Sequence, residues 1–184
     1  MGVTDPMEAR SCYPESKRMA EQILKSYSVE HGINFTITRI AHSYGPGMET
    51  DNDGRVMSDF MSDVMNNRDI VLKSDGSAIR AFCYITDAVR GIFYVLLNGS
   101  SGEAYNIANE NEPTMIRDVA RLMTGAFPDK NITTKLEVQP NDGGYCNYKR
   151  VGLDTSKLEK LGWSCKVSLI EGIKNTVLSQ EALN

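Results

Sequence analysis

The length, composition and charge of this chain limit the classes of protein to which it can belong. Its 184 residues are enough for one hydrophobic core, or for one core with a smaller lobe. The formal net charge of −4 argues against nonspecific binding to nucleic acid. The sequence contains neither an apolar run of membrane-spanning length nor a basic-then-apolar signal at its start, so we expect a cytoplasmic protein.

The first predicted element is a helix with a tyrosine and a lysine four residues apart. Ser11 is a suitable N-cap, Pro14 falls in the first turn where its missing N–H is harmless, and Gly32 supplies a stop. Residues at i and i+4 share a helix face, so Lys17 can lie beside Tyr13. An ammonium group at this distance stabilises a phenolate and lowers the pKa of a tyrosine, which suits acid–base catalysis.

This spacing is weak evidence when it stands alone, because Tyr145 and Lys149 repeat it. The second pair follows residues 141–144, Asn-Asp-Gly-Gly, which are typical of a turn, so its side chains need not share a face. A packing contact on an amphipathic helix is the alternative interpretation of any such pair.

Strands and helices alternate through the rest of the chain. Residues 34–40 are rich in β-branched types and predict a strand, and Gly45-Pro46-Gly47 predicts an irregular loop after it. Ligands gather at the carboxyl ends of strands in open α/β sheets, which makes this loop a candidate site. The further predicted elements are a helix over 55–66, strands over 70–72 and 79–85, a helix over 88–97 capped by Thr86 or Asp87, a strand over 103–108, a helix from a Thr114 cap to Ala126, a strand over 133–138, a helix from Asp154 or Thr155 to before Gly162, and a last helix over 169–178.

The four cysteines, Cys12, Cys83, Cys146 and Cys165, form no C-x-x-C pair. No cluster of histidines accompanies them, so we expect free thiols and no metal site. Cys12 adjoins Tyr13 and can be read as a nucleophile, but a small structural residue is the favoured interpretation.

An ordered set of short motifs runs through the chain. They are Tyr13-x-x-x-Lys17, Arg39-Ile40, Tyr44-Gly45-Pro46, Asp53-Gly54-Arg55-Val56, Gly76, Arg80-x-Phe82-x-Tyr84-Ile85-x-Asp87, Tyr105-Asn106-Ile107 and Leu161-Gly162-Trp163. Together they resemble the carboxyl-terminal half of an extended short-chain dehydrogenase/reductase that acts on nucleotide sugars. The resemblance covers essentially the whole chain, and the ordered set is far more specific than any one motif. Within that family the sequence is most similar to UDP-glucuronate decarboxylases.

The resemblance implies an α/β fold made of the last part of a Rossmann-type sheet and a small α/β substrate-binding lobe. Residues 1–46 would form the tail of the NAD-binding domain and residues 47–184 the lobe, with about 86–110 returning to the sheet. The sequence lacks the G-x-x-G-x-x-G cradle that holds the NAD pyrophosphate, so we expect it upstream of Tyr13. We therefore expect this chain alone to be inactive and the full-length enzyme to be a homodimer.

The resemblance also implies roles at the cofactor. Tyr13 would remove the proton of a sugar hydroxyl, and Lys17 would lower the pKa of that tyrosine while contacting NAD. Ser43 and Gly45 would lie at the nicotinamide end. Arg55 would contact phosphates of the cofactor or the substrate, because a guanidinium matches phosphate oxygens.

Three further residues are expected at the nucleotide sugar. Arg80 would contact its phosphates, with surface ion pairing as the alternative for Arg55 and Arg80. His42 stands where many family members have asparagine and can still hydrogen-bond a diphosphate or sugar; a structural hydrogen bond is the alternative. Arg150 falls near an arginine that decarboxylase-like members place beside the sugar, and a solvated loop arginine is equally open.

The implied activity is that of an NAD-dependent enzyme acting on a nucleotide sugar, by oxidation at C4, decarboxylation and re-reduction. Epimerisation at C4 and 4,6-dehydration are alternatives that these residues do not separate. A noncatalytic nucleotide-sugar-binding or oligomerisation module is the alternative from another class, although binding alone has no need of a base tuned by an ammonium group. We expect neither nucleic acid nor membrane as a partner.

Overall fold

Helices and short strands alternate in the computed structural model, which describes residues 5–8, 11–50, 54–138 and 149–182. The helices are α1 (Cys12–His31), α2 (Val56–Met65), α3 (Ile85–Asn98), α4 (Ile116–Ala126), α5 (Ser156–Glu159) and α6 (Leu169–Glu181). The strands are β1 (Thr36–Ile40), β2 (Ser43–Tyr44), β3 (Ile70–Leu72), β4 (Ile79–Arg80), β5 (Cys83–Tyr84), β6 (Glu103–Ile107), β7 (Thr114–Met115), β8 (Thr134–Leu136) and β9 (Arg150–Val151).

One part of the fold is built on the parallel pair of β1 and β6. Thr36 is paired with Glu103 and Ile40 with Ile107, so the two strands are in register along their full length. Helix α3 packs on both strands, and α5 packs on β6 and α3. A buried cluster of Val95, Tyr105, Ile107, Leu158 and Trp163 joins these elements. The candidate loop at residues 45–47 follows the carboxyl end of β1, one of the two strands of this parallel pair.

A second core lies among α2, α4 and α6, which contact one another pairwise. Its fully buried side chains include Met61, Val64, Met123, Ile173 and Val177, so the methionine-rich face of α2 fills the core. The short strands pair around it. β2 lies parallel to β5, β3 lies parallel to β8, and β4 lies between antiparallel β7 and parallel β9.

The predicted strand over 79–85 is wrong in part, because the segment divides between two sheets. Ile79 and Arg80 pair with β7 and β9, whereas Cys83 and Tyr84 pair with β2. Ile85 already belongs to α3. The change of partner turns the chain after Arg80, which alternation in the sequence does not reveal.

Two predicted helix caps are also wrong. The N-cap of α3 is Tyr84, not Thr86 or Asp87, and it forms no side-chain hydrogen bond to the helix. The N-cap of α4 is Met115, while the hydroxyl of Thr114 donates to the carbonyl oxygen of Glu112. Local capping preferences were overridden in both cases, because a strand runs directly into each helix.

Helix α1 begins and ends as predicted but packs differently from the other helices. Ser11 is its N-cap, although the Ser11 hydroxyl donates to the carbonyl oxygen of Asp5 instead of capping the helix. Gly32 ends it in the left-handed conformation, with φ of 67°. None of its residues is buried. The domain assignment of residues 1–46 and 47–184 stays a prediction.

A glycine in α6 offers a test of core packing. A Cβ atom on Gly172 would overlap the hydroxyl of Tyr44 and lie 2.9 Å from Cδ2 of Tyr84. Tyr44 is buried and donates to the carbonyl oxygen of Leu169 at 3.1 Å, so it has little room to move. We expect Gly172→Ala to lower the free energy of unfolding by about 1–3 kcal/mol, as overpacking does.

Gly125 in α4 provides the matched control, because nothing lies within 4 Å of its added Cβ. Gly125→Ala should raise the free energy of unfolding by about 0.5–1 kcal/mol, the usual gain in a helix. Urea denaturation of both variants measures the difference. A Gly172→Ala variant as stable as the wild type would contradict the packing described for Tyr44.

Candidate active site

The predicted pair of Tyr13 and Lys17 lies on one face of α1. The Nζ atom of Lys17 is 5.4 Å from the centroid of the Tyr13 ring, so the ammonium group lies against the aromatic side chain. Tyr13 is 67% exposed and Lys17 is also exposed. The helix therefore holds the two side chains together and presents them on its surface.

The position of this pair follows from the way α1 runs back along β1. Glu21 forms an ion pair with Arg39, and the Nε atom of Arg39 donates to Oε1 of Glu21 at 2.7 Å. Arg39 is next to the last residue of β1. Tyr13 precedes Glu21 by two helical turns, or about 12 Å at 1.5 Å per residue. Tyr13 and Lys17 thus lie beyond the carboxyl end of β1, the end at which predicted site residues follow the strand.

His42 is one of those residues, and its environment favours the neutral form of the imidazole. Its carbonyl oxygen accepts the N–H of Cys83 at 3.0 Å, and its ring centroid is 5.8 Å from that of Phe82. Partial burial lowers the pKa of His42, and the positive charge of Arg80 lowers it further. A neutral imidazole can both donate and accept a hydrogen bond, so His42 can hold a polar ligand without adding charge.

The contribution of Arg80 to this pKa can be measured. We expect Arg80→Gln to raise the pKa of His42 toward its ordinary value of 6.5, because a nearby positive charge is removed. A proton NMR titration resolves the two histidines of the chain, and His42→Asn assigns the signal. Arg68→Gln is the control, since Arg68 pairs with Asp63. An unchanged midpoint in Arg80→Gln would show that Arg80 does not act on this ring.

The lowered pKa of His42 also fixes the sign of a stability effect. Unfolded chains take up this proton near pH 6.5, whereas the folded protein takes it up at lower pH. The contribution of His42 is therefore fully present above pH 6.5 and is lost as the pH falls through the pKa of the folded state. The His42→Asn variant should lose less stability than the wild type over this range.

Ser43 and Gly45 continue the same loop. Ser43 is exposed in β2 and is paired with Cys83 of β5. Gly45 presses against the start of α3, where an added Cβ would lie 2.7 Å from Cβ of Ile85. A side chain at position 45 would push the loop away from α3, so glycine holds Ser43 and His42 close to the strands.

The three predicted arginines do not share one surface. Arg55 is exposed as the N-cap of α2. Arg80 lies in β4, and its Nη1 donates to the carbonyl oxygen of Ile79 at 2.9 Å. Arg150 lies in β9 opposite Ile79. Successive side chains of a strand point to opposite faces, so Arg150 and Arg80 lie on opposite faces of this small sheet.

Arg150 instead forms a site with Glu110, which was not predicted. The Nη2 atom of Arg150 is 3.0 Å from Oε2 of Glu110, and Oε1 of Glu110 accepts the N–H of Leu153 at 2.8 Å. No local pattern connects residues so far apart in the chain. The pair borders an open groove of about 520 Å³ lined by Glu110, Arg150, Gly152, Leu153, Asp154, Thr155, Ser156 and Glu159.

Asp87 is a further residue whose role was not predicted. It is 1% exposed, and its Oδ2 accepts the N–H groups of Lys166 and Val167 at 2.8 and 2.9 Å. Its Oδ1 pairs with Nη1 of Arg90, and its carbonyl oxygen accepts Nε1–H of Trp163 at 3.1 Å. Asp87 and Trp163 belong to the ordered motifs of the sequence, but only the fold shows that the carboxylate fastens the 163–167 loop to α3.

Some features considered in the sequence lie outside the described residues, and others concern a metal site or a membrane-spanning helix. Tyr145 of the repeated Tyr/Lys spacing and Cys146 lie outside the described residues. Within the described ranges, no group of three or more histidine, cysteine or acidic side chains can hold a metal ion. Across those same residues, no helix is both long and apolar enough to cross a bilayer.

The fold and the site define an α/β protein in which a helix with a Tyr–Lys pair leads to the carboxyl end of a parallel strand pair. A sequence profile of the NAD-dependent epimerase/dehydratase family matches residues 2–108, more than half of the chain. The chain belongs to this family.

Similar proteins agree with this assignment. The chain is 36% identical to UDP-glucuronic acid decarboxylase 6 of Arabidopsis thaliana over 172 residues, which are 94% of this chain and 48% of that protein. The chain thus spans about half the length of the curated relatives it matches.

Solved structures confirm the expected fold, the carboxyl-terminal half of a Rossmann-type extended short-chain dehydrogenase/reductase. The UDP-glucose 4-epimerase of Thermotoga maritima, solved with UDP-glucose, superposes with a TM-score of 0.79 at 27% identity, covering 94% of this chain and 54% of the epimerase. The UDP-glucuronic acid 4-epimerase of Bacillus cereus, solved with UDP-glucuronic acid and NAD, gives 0.79 at 23% identity, covering 100% and 58%. The second likeness is one of fold alone.

Proposed function

We propose that this chain forms the carboxyl-terminal half of an NAD-dependent enzyme that decarboxylates UDP-glucuronic acid. The observation that carries the proposal is the Tyr13–Lys17 pair, held side by side and exposed beyond the carboxyl end of β1. The likeness to a UDP-glucuronic acid decarboxylase over 94% of the chain supports the choice of substrate. In this proposal the enzyme acts in the cytoplasm.

Tyr13 is the proposed acid and base. As a phenolate, its exposed side chain takes the proton from the sugar C4 hydroxyl as that carbon is oxidised, and the resulting tyrosine hydroxyl returns the proton when the ketone is reduced. Lys17 stabilises the negative charge that develops on the tyrosine oxygen, because its ammonium group lies against the ring. A lysine here can act as a fixed charge without itself exchanging a proton.

The residues present fit the nicotinamide end of NAD, which supplies a hydride acceptor and donor when bound. Tyr13, Lys17 and Ser43 are exposed and belong to the same end of β1. In the proposal Lys17 and Ser43 hold this end of the cofactor, and Arg55 contacts a phosphate. Gly45 lets the loop pack closely against the start of α3.

The nucleotide sugar is proposed to bind across His42 and Arg80. The pKa of His42 is lowered in part by Arg80, which supports their facing one another. A cation beside a neutral hydrogen-bonding ring suits a diphosphate. The arginine supplies positive charge, and the histidine supplies a hydrogen bond of defined direction. Arg150 can contribute only if the ligand reaches its groove, where Glu110 holds the guanidinium in place.

The proposed reaction follows from the substrate. Once C4 carries a ketone, the carboxylate on C5 is that of a β-keto acid, and its carbon–carbon bond breaks to release carbon dioxide. The charge left on the sugar spreads onto the C4 oxygen, which faces Tyr13 in this proposal. Protonation at C5 and reduction at C4 then give a UDP-pentose.

The test is to supply the whole protein with NAD and UDP-glucuronic acid labelled with ¹³C in the carboxyl group. Release of labelled carbon dioxide with formation of a UDP-pentose is the expected result. UDP-glucose, which lacks the carboxylate, is the matched control and should release none. Binding without turnover would favour the noncatalytic alternative.

A 4-epimerase is the second candidate, favoured by the likeness to the Thermotoga maritima enzyme. That activity would convert UDP-glucose to its C4 epimer with no change of mass. Loss of water from the sugar would indicate a 4,6-dehydratase instead. The same experiment, read by chromatography and mass spectrometry, separates all three outcomes.

The apolar surface of α1 supports a homodimer of the whole enzyme. Met19 is 60% exposed, Tyr27 is 53% exposed and Ile23 is 49% exposed, although all three are large apolar side chains. Surfaces of this kind are commonly covered by another protein surface. Sedimentation of the whole protein measures its oligomeric state.

A further inference from the structure

Two cysteines far apart in the sequence come together beneath the 163–167 loop. Cys83 lies in β5 with none of its surface exposed, and Cys165 packs half-buried against the cluster that contains Cys83. The pKa of Cys83 is raised, first by a hydrogen bond with the thiol of Cys165 and then by burial. The geometric basis for pairing them is this shared cluster, against which the side chain of Cys165 packs.

The surrounding hydrogen bonds hold both cysteines in place. Asp87 binds Nε1 of Trp163 on one side of Cys165 and the N–H groups of Lys166 and Val167 on the other. Cys83 is fixed by its pairing with Ser43 in the neighbouring strand. The loop that carries Cys165 is thus held to α3 by contacts that do not involve sulfur.

Solvent reaches these two thiols unequally. Cys165 lines an open cavity of about 290 Å³, together with Ala108, Glu110, Asn111, Glu159, Trp163 and Ser164. The thiol of Cys165 is 3.6 Å from the carbonyl oxygen of Ala108 at the edge of this cavity. A small oxidant can enter from this side and meet Cys165, whereas Cys83 lies sealed beneath it.

We propose that Cys165 is a site of oxidation by hydroperoxides and that Cys83 resolves it, so that the two residues form an intrachain disulfide. The proposal concerns a modification site and does not depend on the proposed enzymatic activity. It rests on the pairing of an accessible thiol with a buried one in a clamped loop.

The chemistry requires one peroxide for each disulfide. The sulfur of Cys165 attacks the peroxide, the O–O bond breaks, and a sulfenic acid and a hydroxyl product form. The sulfur of Cys83 then attacks that of Cys165, the S–S bond forms, the S–O bond breaks, and the Cys83 proton leaves with the oxygen as water. With hydrogen peroxide, two thiols lose two electrons and two protons, and two molecules of water result.

The second step is expected to be the slower of the two. A thiolate attacks faster than a thiol, and the raised pKa of Cys83 keeps it protonated. The neighbouring position of the sulfurs offsets this disadvantage, because the attack is intramolecular. A short-lived sulfenic acid at Cys165 should therefore be open to trapping by dimedone.

The test uses the whole protein with Cys12→Ser and Cys146→Ser, which leaves the proposed pair as the only thiols within these 184 residues. Hydrogen peroxide should remove two hydrogens from the intact mass, and non-reducing peptide mapping should link Cys83 to Cys165. Dithiothreitol should reverse both changes. The wild-type protein should give the same linked peptides.

Further variants separate the roles of the two residues. In the same background, Cys83→Ser should trap dimedone at Cys165 and form no link, whereas Cys165→Ser should react slowly or not at all. Circular dichroism checks folding, and Cys83→Ala replaces the serine variant if it fails to fold. Oxidation of Cys165 to sulfinic acid without any link in the parent background would overturn the proposal, as would first reaction at Cys83.

Discussion

Replacing Tyr13 by phenylalanine should lower the turnover of the proposed reaction by about 10²- to 10⁴-fold, the usual contribution of a general acid or base. The variant keeps the ring that packs beside Lys17 and loses only the hydroxyl. Substrate and cofactor should therefore bind nearly as before, and the loss should fall on kcat. Steady-state rates of carbon dioxide release by the whole enzyme measure this effect.

Tyr27→Phe is the matched control for this prediction. Tyr27 lies on the same helix and is similarly exposed, at 53% against 67% for Tyr13. It should change turnover by less than about twofold, since it has no proposed part in proton transfer. Equal effects of the two variants, or normal turnover in Tyr13→Phe, would remove Tyr13 from the proposed mechanism.

Replacing Asp87 by asparagine should lower the free energy of unfolding by about 3 kcal/mol, the lower end of the range for breaking a buried ion pair. The lower end applies because Arg90 stays 36% exposed while Asp87 is 1% exposed. An asparagine has one acceptor oxygen, so its amide group must face either Arg90 or the N–H groups of the loop. In either orientation the NH2 group of the asparagine faces other hydrogen-bond donors.

Asp118→Asn is the control for Asp87→Asn. Asp118 and Arg121 form an ion pair with the same i, i+3 spacing, but both side chains are exposed. This variant should cost less than about 0.5 kcal/mol, as exposed pairs do. Urea denaturation compares the two, and hydrogen exchange of the Lys166 and Val167 amides reports on the loop itself. Equal stabilities would contradict the structural role of Asp87.

Helix α1 and its Tyr–Lys pair were predictable because their determinants are local. A cap, a proline in the first turn and a terminal glycine lie within the helix or next to it, and i, i+4 spacing fixes which side chains meet. The pairing of β1 with β6 joins two segments that α2, α3 and several short strands separate in the chain. The sequence predicts both strands, but the resemblance, not the pattern, implied that they share a sheet.

The interactions that the sequence did not reveal concern residues whose partners are distant. Asp87 looks like a helix cap in its local sequence, yet its carboxylate binds backbone groups near position 166. Arg150 looks like a loop arginine, yet it is held by Glu110. Each interaction depends on two strands or loops brought together by the fold, so neither residue can be interpreted from its neighbours in the chain.

The position of α1 on the surface has a consequence for when the proposed Tyr13–Lys17 pair is ordered. A helix without a buried side chain gains little from tertiary packing, which supplies most of the stability of helices in proteins. Its amides should therefore exchange with solvent far sooner than those of α2, α4 and α6, which share a core. In the proposed homodimer, a second surface that covers α1 would hold Tyr13 and Lys17 in place.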